Sequence, residues 1–257
     1  MRRVVFNQKG GVGKSSIASN LAAISAERGV PTLLVDLDPQ ANSSQYLLGD
    51  QYEEVETGIG EFFRDCLSFR ILGDEPLGYV TDTPFEDLAI IASAPEMTEL
   101  EAKLQAKYKI FKLRDALVSL QDEFEAIYID TPPAFNFFTL SALIAAQGCL
   151  IPFDCDDFSR RALYRLMENV DETRGDHNPE LHVEGIVINQ FMARANLPRR
   201  LVEELCNEGL PVLNTHLSSS VKMRESHEQA TPLVHFAPRH KLTEQFLTLY
   251  EELEELV

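Results

Sequence analysis

Seven consecutive residues near the start of the chain, Lys9-Gly10-Gly11-Val12-Gly13-Lys14-Ser15, combine glycine backbone, ammonium groups and a hydroxyl in the order that phosphate chemistry uses. Glycines leave successive backbone N–H groups free to converge on phosphate oxygens, and a helix starting at the end of such a loop adds a favourable dipole. In a loop of this kind Lys14 reaches the β- and γ-phosphates and the hydroxyl of Ser15 ligates Mg²⁺, with Ser16 continuing the cradle into the helix. One position departs from the general pattern G-x-x-x-x-G-K-[ST]. Gln8 stands where the first glycine belongs, and a second lysine, Lys9, follows it. Two lysines are more positive charge than one loop usually brings to a single triphosphate.

Three acids stand where such a loop needs partners. Asp130 ends the apolar run Ala126-Ile127-Tyr128-Ile129 and matches the acid that holds Mg²⁺ through its water shell; the alternative is a strand-end acid capping the next turn. Asp36 and Asp38 are two residues apart, so from an extended strand they point the same way. One would hold Mg²⁺-bound water and the other would orient the attacking water, unless the pair is only a solvated acidic turn before Pro39. Asn189, followed by Gln190, ends another apolar run, and its amide suits either a base edge or a structural turn. Lys222 and Arg224, with Arg194, Arg199, Arg200, Arg239 and Lys241, form either an anionic-polymer patch or a solvated surface. Cys149 and Cys155 are near each other but lack the spacings of common iron–sulfur ligands, so core packing is the better reading.

The elements that would position these residues follow from periodicity. Residues 3–8 read as a strand, the loop follows, and a helix over about 15–28 ends at Gly29-Val30-Pro31. Residues 32–36 are a continuous apolar run of the kind found in strands buried on both faces of a parallel sheet. Strand, helix and strand in this order make a right-handed βαβ unit, with Asp36 and Asp38 at the carboxyl edge where ligands bind. Residues 41–87 are rich in turn formers, Gly73-Asp74 among them, with one helical candidate around 60–70. Further strands are predicted at 88–92, 126–130, 149–153, 183–190 and 210–213. Helices are predicted over about 96–107, 109–121, 137–147, 158–174, 194–208 and 240–256, with a polar segment from 218 to 240. With no repeat, linker or break in composition, the expected fold class is α/β: a single-domain, doubly wound, mostly parallel sheet over residues 1–257.

Composition narrows the function classes. The formal net charge of -18 works against sequence-independent adhesion to nucleic acid unless basic side chains gather on one face. No apolar run approaches the ~18 residues of a membrane span. Met1-Arg2-Arg3 leads directly into the first strand, so neither a signal peptide nor a helix-turn-helix ahead of the loop is expected. The four cysteines form no C-x-x-C pair and read as reduced thiols.

Taken together, these residues resemble the ParA/MinD group of deviant Walker-type ATPases, and within it the plasmid and chromosome partition ParA/Soj branch. Residues 9–15 match that family's K-G-G-x-G-K-[ST] loop throughout. Asn7-Gln8, Asp36-Leu37-Asp38-Pro39-Gln40-Ala41-Asn42, Tyr128-Ile129-Asp130-Thr131-Pro132-Pro133 and the stretch 221–238 are also similar to this branch. The resemblance implies an ATP- and Mg²⁺-dependent ATPase that forms a homodimer when ATP is bound. It implies that Lys9 crosses the dimer to the partner's nucleotide, which would account for the surplus lysine. Lys14 and Ser15 would serve phosphate and metal, and Gly10, Gly11, Val12, Gly13 and Ser16 the phosphates. Asp38 would position the hydrolytic water, Asp36 would lie near the metal, Asp130 would be the Walker B acid, and Asn189 would touch adenine. Lys222 falls near a basic position used for sequence-independent DNA binding in relatives.

The resemblance further implies a ParB-like or other adaptor that stimulates hydrolysis, and a cytoplasmic, nucleoid-associated place of action. Ala230 replaces a frequent glycine, and Glu225 and Glu228 stand where relatives are often basic, which weighs against a strong DNA-binding face. The acidic end Tyr250-Glu251-Glu252-Leu253-Glu254-Glu255 lacks the basic amphipathic character of a membrane tail. Three rival readings keep the loop: a positioning ATPase for a protein assembly with little DNA binding, an iron–sulfur reductase or carrier like the nitrogenase iron protein, and a P-loop ligase of the dethiobiotin synthetase kind.

Overall fold

Each buried strand alternates its side chains between two core layers, and this alternation organises the molecule. In the computed structural model the residues described are 1–68, 75–155, 159–192 and 194–256. Along β1 (Arg2–Val5), Val4 enters one layer and Val5 the other. Along β2 (Thr32–Asp36), Leu33 and Val35 join Val4's layer while Leu34 faces Val5's. Between β1 and β2 runs α1 (Lys14–Glu27), whose small and apolar residues are buried on nearly every side. An element covered so completely places its first turn with little freedom, which matters because that turn carries the phosphate-loop candidates.

Beyond β2 come α2 (Asn42–Leu48), α3 (Ile59–Leu67), the two-residue β3 (Thr81–Asp82), β4 (Leu88–Ile91), α4 (Glu101–Ala106) and α5 (Lys112–Ser119). β5 (Ala126–Asp130), α6 (Phe137–Ala145), β6 (Gly148–Asp154), α7 (Ser159–Asp176), β7 (His182–Asn189) and α8 (Asn196–Asn207) complete the winding. The chain closes with α9 (Val221–Glu228), α10 (Leu233–Phe236) and α11 (Lys241–Glu254). The sheet order is β3-β4-β2-β5-β1-β6-β7, and every pairing is parallel except β3 with β4. The chain therefore moves outward from β1 in both directions, and the carboxyl ends of β1, β2 and β5 open on one edge, the place where doubly wound sheets bind ligands.

At the opposite, amino-terminal edge a buried ion cluster fixes α11 to the sheet. Arg3 Nε donates to Glu184 Oε1 of β7 at 2.9 Å, and its Nη1 donates to Glu254 Oε1 of α11 at 2.7 Å. Its Nη2 donates to the Leu253 carbonyl at 3.2 Å. α11 then lays Phe246, Leu249 and Leu253 on the layer that contains α1.

Several elements differ from the sequence expectation. The first strand ends at Val5, short of the expected residue 8, although the Phe6 N–H still donates to the Leu150 carbonyl of β6 at 2.9 Å. Residues 95–99 form a 3₁₀ turn that begins at Pro95, ahead of α4. The predicted strand at 210–213 is reduced to one bridge between Val212 and Ile186. The polar segment 218–240 contains two helices. Ser220 caps α9 by accepting from the Lys222 N–H, and α10 is a four-residue turn that follows Pro232, so neither rests on apolar periodicity. The turn residues Gly73-Asp74 lie outside the described residues.

Candidate functional site

The loop between β1 and α1 is held from outside by amides. Asn7 Nδ2 donates to the Pro152 carbonyl of β6 at 2.7 Å, and Asn7 Oδ1 accepts from the Lys9 N–H at 2.8 Å. At the end of β7, Asn189 Nδ2 donates to the Val12 carbonyl at 2.8 Å and Gln190 Nε2 to the Gly11 carbonyl at 3.0 Å. Gly11 and Gly13 have φ of 76° and 91°, a left-handed conformation that side chains resist. A Cβ on Gly13 would also stand 2.3 Å from Asn189 Nδ2, so both conformation and space require glycine there. The carbonyls are thus tied back, and among the described residues no acceptor is found for the N–H groups of Gly10 through Ser16. A row of undirected N–H groups at a helix start is an anion-binding concavity.

The two lysines differ in kind. Lys14 is 6% exposed, and its Nζ donates to the Lys9 carbonyl at 3.2 Å. Burial pushes its ammonium pKa down, and the carboxylates of Asp130 and Asp38 pull it back up. Lys9 carries its Nζ 3.8 Å from Asp154 Oδ2 at the end of β6, with the side chain 40% exposed. One ammonium is buried in the site, and the other is partly exposed beside Asp154 at its rim.

Asp130 is fully buried beside Lys14. Its Oδ2 accepts from the Ser43 hydroxyl at 2.8 Å, while its Oδ1 accepts no hydrogen bond. Burial pushes its pKa up to about 6, opposed by the neighbouring hydroxyls of Ser15 and Ser43 and by Lys14. An orphaned buried carboxylate oxygen next to a loop serine fits Mg²⁺, which ordinarily takes one or two carboxylates and completes its shell with phosphates and water.

Asp36 lies opposite Asp130 in the β2–β5 register and is also fully buried. Its Oδ1 accepts from the Asp38 N–H at 3.0 Å, and its Oδ2 accepts from both the N–H and the hydroxyl of Ser44 at 2.9 and 2.8 Å. Burial, then the charge of Asp130, hold its pKa well above the usual carboxylate range. Asp36 therefore fixes the turn and the start of α2, and the turn presents Asp38. Asp38 Oδ1 accepts from the Gln40 N–H at 3.0 Å, and its charge acts on both Lys14 and Asp130. Ala41 enters α2 with φ of 55°, a strained conformation for a residue other than glycine.

A cleft of about 200 Å³ continues from the loop, lined by Gly11, Gly13, Asn189, Gln190, Met223 and Arg224 among others. Arg224 is thus brought to the loop, while Lys222 pairs with Glu225 and lies over the Phe236 ring at 5.6 Å. The two residues expected to bind DNA thus share α9 but have different neighbours. In the sequence Asn7 stands out only as part of a motif, and Ser43, Ser44, Tyr46 and His227 not at all, because their roles are defined by partners distant in the chain. Cys149 lies in the core, where burial raises its thiol pKa. Among the described residues no group of three or more His, Cys, Asp and Glu is arranged to hold a metal, and no helix is long and apolar enough to cross a membrane.

The parallel sheet, the glycine loop with its buried lysine and the strand-end acid define a P-loop nucleoside-triphosphatase fold. Residues 3–183 match the family described as AAA domain. The chromosome partitioning protein ParA of Myxococcus xanthus (strain DK1622) is 34% identical over 252 residues, covering 97% of this chain and 86% of that protein. The sporulation initiation inhibitor protein Soj of Bacillus subtilis (strain 168) is 29% identical, covering 97% and 96%. Among solved structures, cobyrinic acid a,c-diamide synthase of Mycobacterium smegmatis with bound ADP and magnesium is similar at a TM-score of 0.77 and 25% identity, covering 89% and 91%. The chain belongs to the ParA/MinD family of P-loop ATPases.

Proposed function

We propose that this chain binds ATP with Mg²⁺ at the loop and hydrolyses it. The ATP-bound form pairs with a second copy, so the protein works as a switch for partitioning or positioning cargo. The observation that carries this reading is the combination at one sheet edge of undirected loop N–H groups, buried Lys14 and the orphaned Oδ1 of Asp130. The N–H groups of residues 10–16 and the Lys14 ammonium hold the phosphates, and Ser15 and Asp130 hold the metal, which when bound neutralises charge on the phosphates. Asp38 orients the attacking water, held in place by the turn that Asp36 braces. Asn189 and the adjoining cleft take the base. Positioning and electrostatics supply most of the acceleration in such chemistry, so a switch of this design stays slow until a partner completes the site.

Lys9, partly exposed at the rim, reaches the phosphates of the second copy. Its substitution by Ala is expected to leave nucleotide affinity within about threefold and to impair nucleotide-dependent dimerisation or hydrolysis; an exposed lysine contributes little to its own site. Normal dimerisation and turnover by that variant would sink the assignment. Lys14→Ala tests the whole reading. Titration calorimetry should show nucleotide affinity falling by about tenfold or more, since hydrogen bonds from a charged donor are worth ~1.5–3 kcal/mol. Unchanged binding and dimerisation would overturn it.

The partition and positioning role is supported by the names of the relatives. A ParB-like or other adaptor is the partner to seek, and the nucleoid is the place of action if the ATP-bound dimer holds DNA. A second reading, a positioning ATPase for a protein assembly with weak DNA affinity, is favoured by the net charge of -18 and by the Lys222–Glu225 pair. Gel shifts with ATP at about 50 and 200 mM salt separate them, because binding through phosphate contacts falls steeply over that range. A visible absorption spectrum of anaerobically purified protein disposes of the iron–sulfur alternative if it shows no cluster band.

A further inference from the structure

We propose that His227 couples the phosphate-binding loop to α9, the short helix bearing Lys222 and Arg224, and passes the state of Ser16 to that helix. His227 Nε2 stands 2.8 Å from the Ser16 hydroxyl, 211 residues away in sequence. Its ring stacks on Tyr46 of α2, with centroids 3.9 Å apart and planes 19° from parallel. The Tyr46 hydroxyl meets the hydroxyl of Ser226, the residue before His227. Asn20 completes the knot: its Nδ2 donates to the Ser16 carbonyl at 2.8 Å and to the Tyr46 hydroxyl at 3.3 Å, and its Oδ1 accepts from the Leu233 N–H at 2.8 Å. Three elements therefore meet at one ring: α1 with the loop, α2 behind Asp38, and α9 beside the cleft.

The chemistry of the contact makes it responsive. Burial holds the His227 pKa below the usual value, so at neutral pH the ring is neutral, with one N–H and one lone pair. Ser16 has a single hydroxyl hydrogen. With no acceptor in the loop, that hydrogen can go to Nε2. Once it turns to an acceptor held by the loop, the Ser16 oxygen can only receive, and the ring must present Nε2–H or give up the contact. Either outcome changes what holds α9. The same helix places Met223 and Arg224 on the cleft and pairs Lys222 with Glu225, so a small shift alters the cleft wall and the basic side chains together.

The inference rests on the nucleotide reading of the loop, and hydrogen exchange read by mass spectrometry tests it apart from turnover. In the unmodified protein, saturating ADP with Mg²⁺, or a non-hydrolysable ATP analogue, should change exchange in residues 221–228 by about fivefold, the worth of one hydrogen bond. His227→Phe keeps a ring on Tyr46 but has no nitrogen. It should bind the nucleotide with near-normal affinity by calorimetry and lose the exchange change. His227→Gln returns a polar nitrogen and should restore it. If the unmodified protein binds nucleotide without any change in 221–228, or if the Phe variant responds as fully as the unmodified protein, the coupling is wrong. Failure of the unmodified protein to bind nucleotide at all would remove the function reading as well, and calorimetry tells these outcomes apart.

Discussion

The two edges of the sheet both bury charge, and they do so in opposite ways. At the amino-terminal edge, Arg3 is surrounded by Glu184, Glu254 and the Leu253 carbonyl, so its donors are matched. At the carboxyl edge, Asp36 and Asp130 are both fully buried as neighbours in register, and Asp130 Oδ1 has no hydrogen bond. A matched buried cluster holds a fold together, whereas two like charges sharing a buried edge destabilise it. In the function proposed above, the same unmatched groups are the ones that bind a cation and phosphates. The phosphate loop, the strained Ala41 and the His227 contact all gather at this second edge.

Substitutions break or sharpen this contrast. The largest effect is expected at the matched edge: Arg3→Ala leaves Glu184 buried without its partner and should lower stability by about 3–5 kcal/mol in denaturant titration. A loss under ~1 kcal/mol would mean that the cluster does not anchor α11.

The unmatched edge should respond with the opposite sign. Asp130→Asn is expected to stabilise the nucleotide-free protein by roughly 1–3 kcal/mol at pH 7 while abolishing Mg²⁺-dependent hydrolysis. The sign follows from linkage. The folded pKa of about 6 lies above the unfolded carboxylate value, so ionisation is penalised only in the fold. The advantage of Asn should therefore vanish below about pH 4, where Asp is protonated in both states, grow between pH 4 and 6, and then level off. A destabilised Asn variant across that range would contradict the account of this edge.

A smaller gain is expected from Ala230→Gly. Ala230 has φ of 44° at the end of α9, a left-handed conformation that glycine adopts freely, so thermal melts should show a gain of about 0.5–1 kcal/mol. The smallest effect belongs to the solvent-exposed counterpart of the Arg3 cluster. Arg28 also reaches α11, through Glu251 at 2.8 Å, but both side chains are about half exposed. Arg28→Ala should change stability by less than ~0.5 kcal/mol, and a loss as large as that of Arg3→Ala would show that burial is not what separates the two pairs.

The legible part of the molecule is the part governed by local rules. Apolar runs at 32–36 and 126–130 announce buried strands because alternate side chains fill two layers, as Leu33 and Leu34 do. The loop is legible because Gly11 and Gly13 answer to backbone conformation, and Lys14-Ser15 follow them at fixed spacing. α9 and α10 were not legible, since α9 is polar and starts at the Ser220 cap, and α10 is a single four-residue turn after Pro232, too short for a periodic pattern. Arg224 and Lys222, two positions apart in sequence, proved to serve different surroundings because one lines the cleft and the other is paired with Glu225.

By itself the sequence determined the phosphate loop, the alternation of strands and helices and the strand-end acids, because backbone geometry and side-chain period act over a few residues. Only the tertiary structure decided that Asn189 and Gln190 tie back the loop carbonyls, that both oxygens of Asp36 serve Ser44 and Asp38, and that His227 meets Ser16. Those contacts depend on which strands lie side by side and in what register, and no local spacing encodes a partner found across a winding sheet. The phosphate cradle is written in seven residues, but the directions of its carbonyls and the helix that rests on it are set from almost two hundred residues away or more.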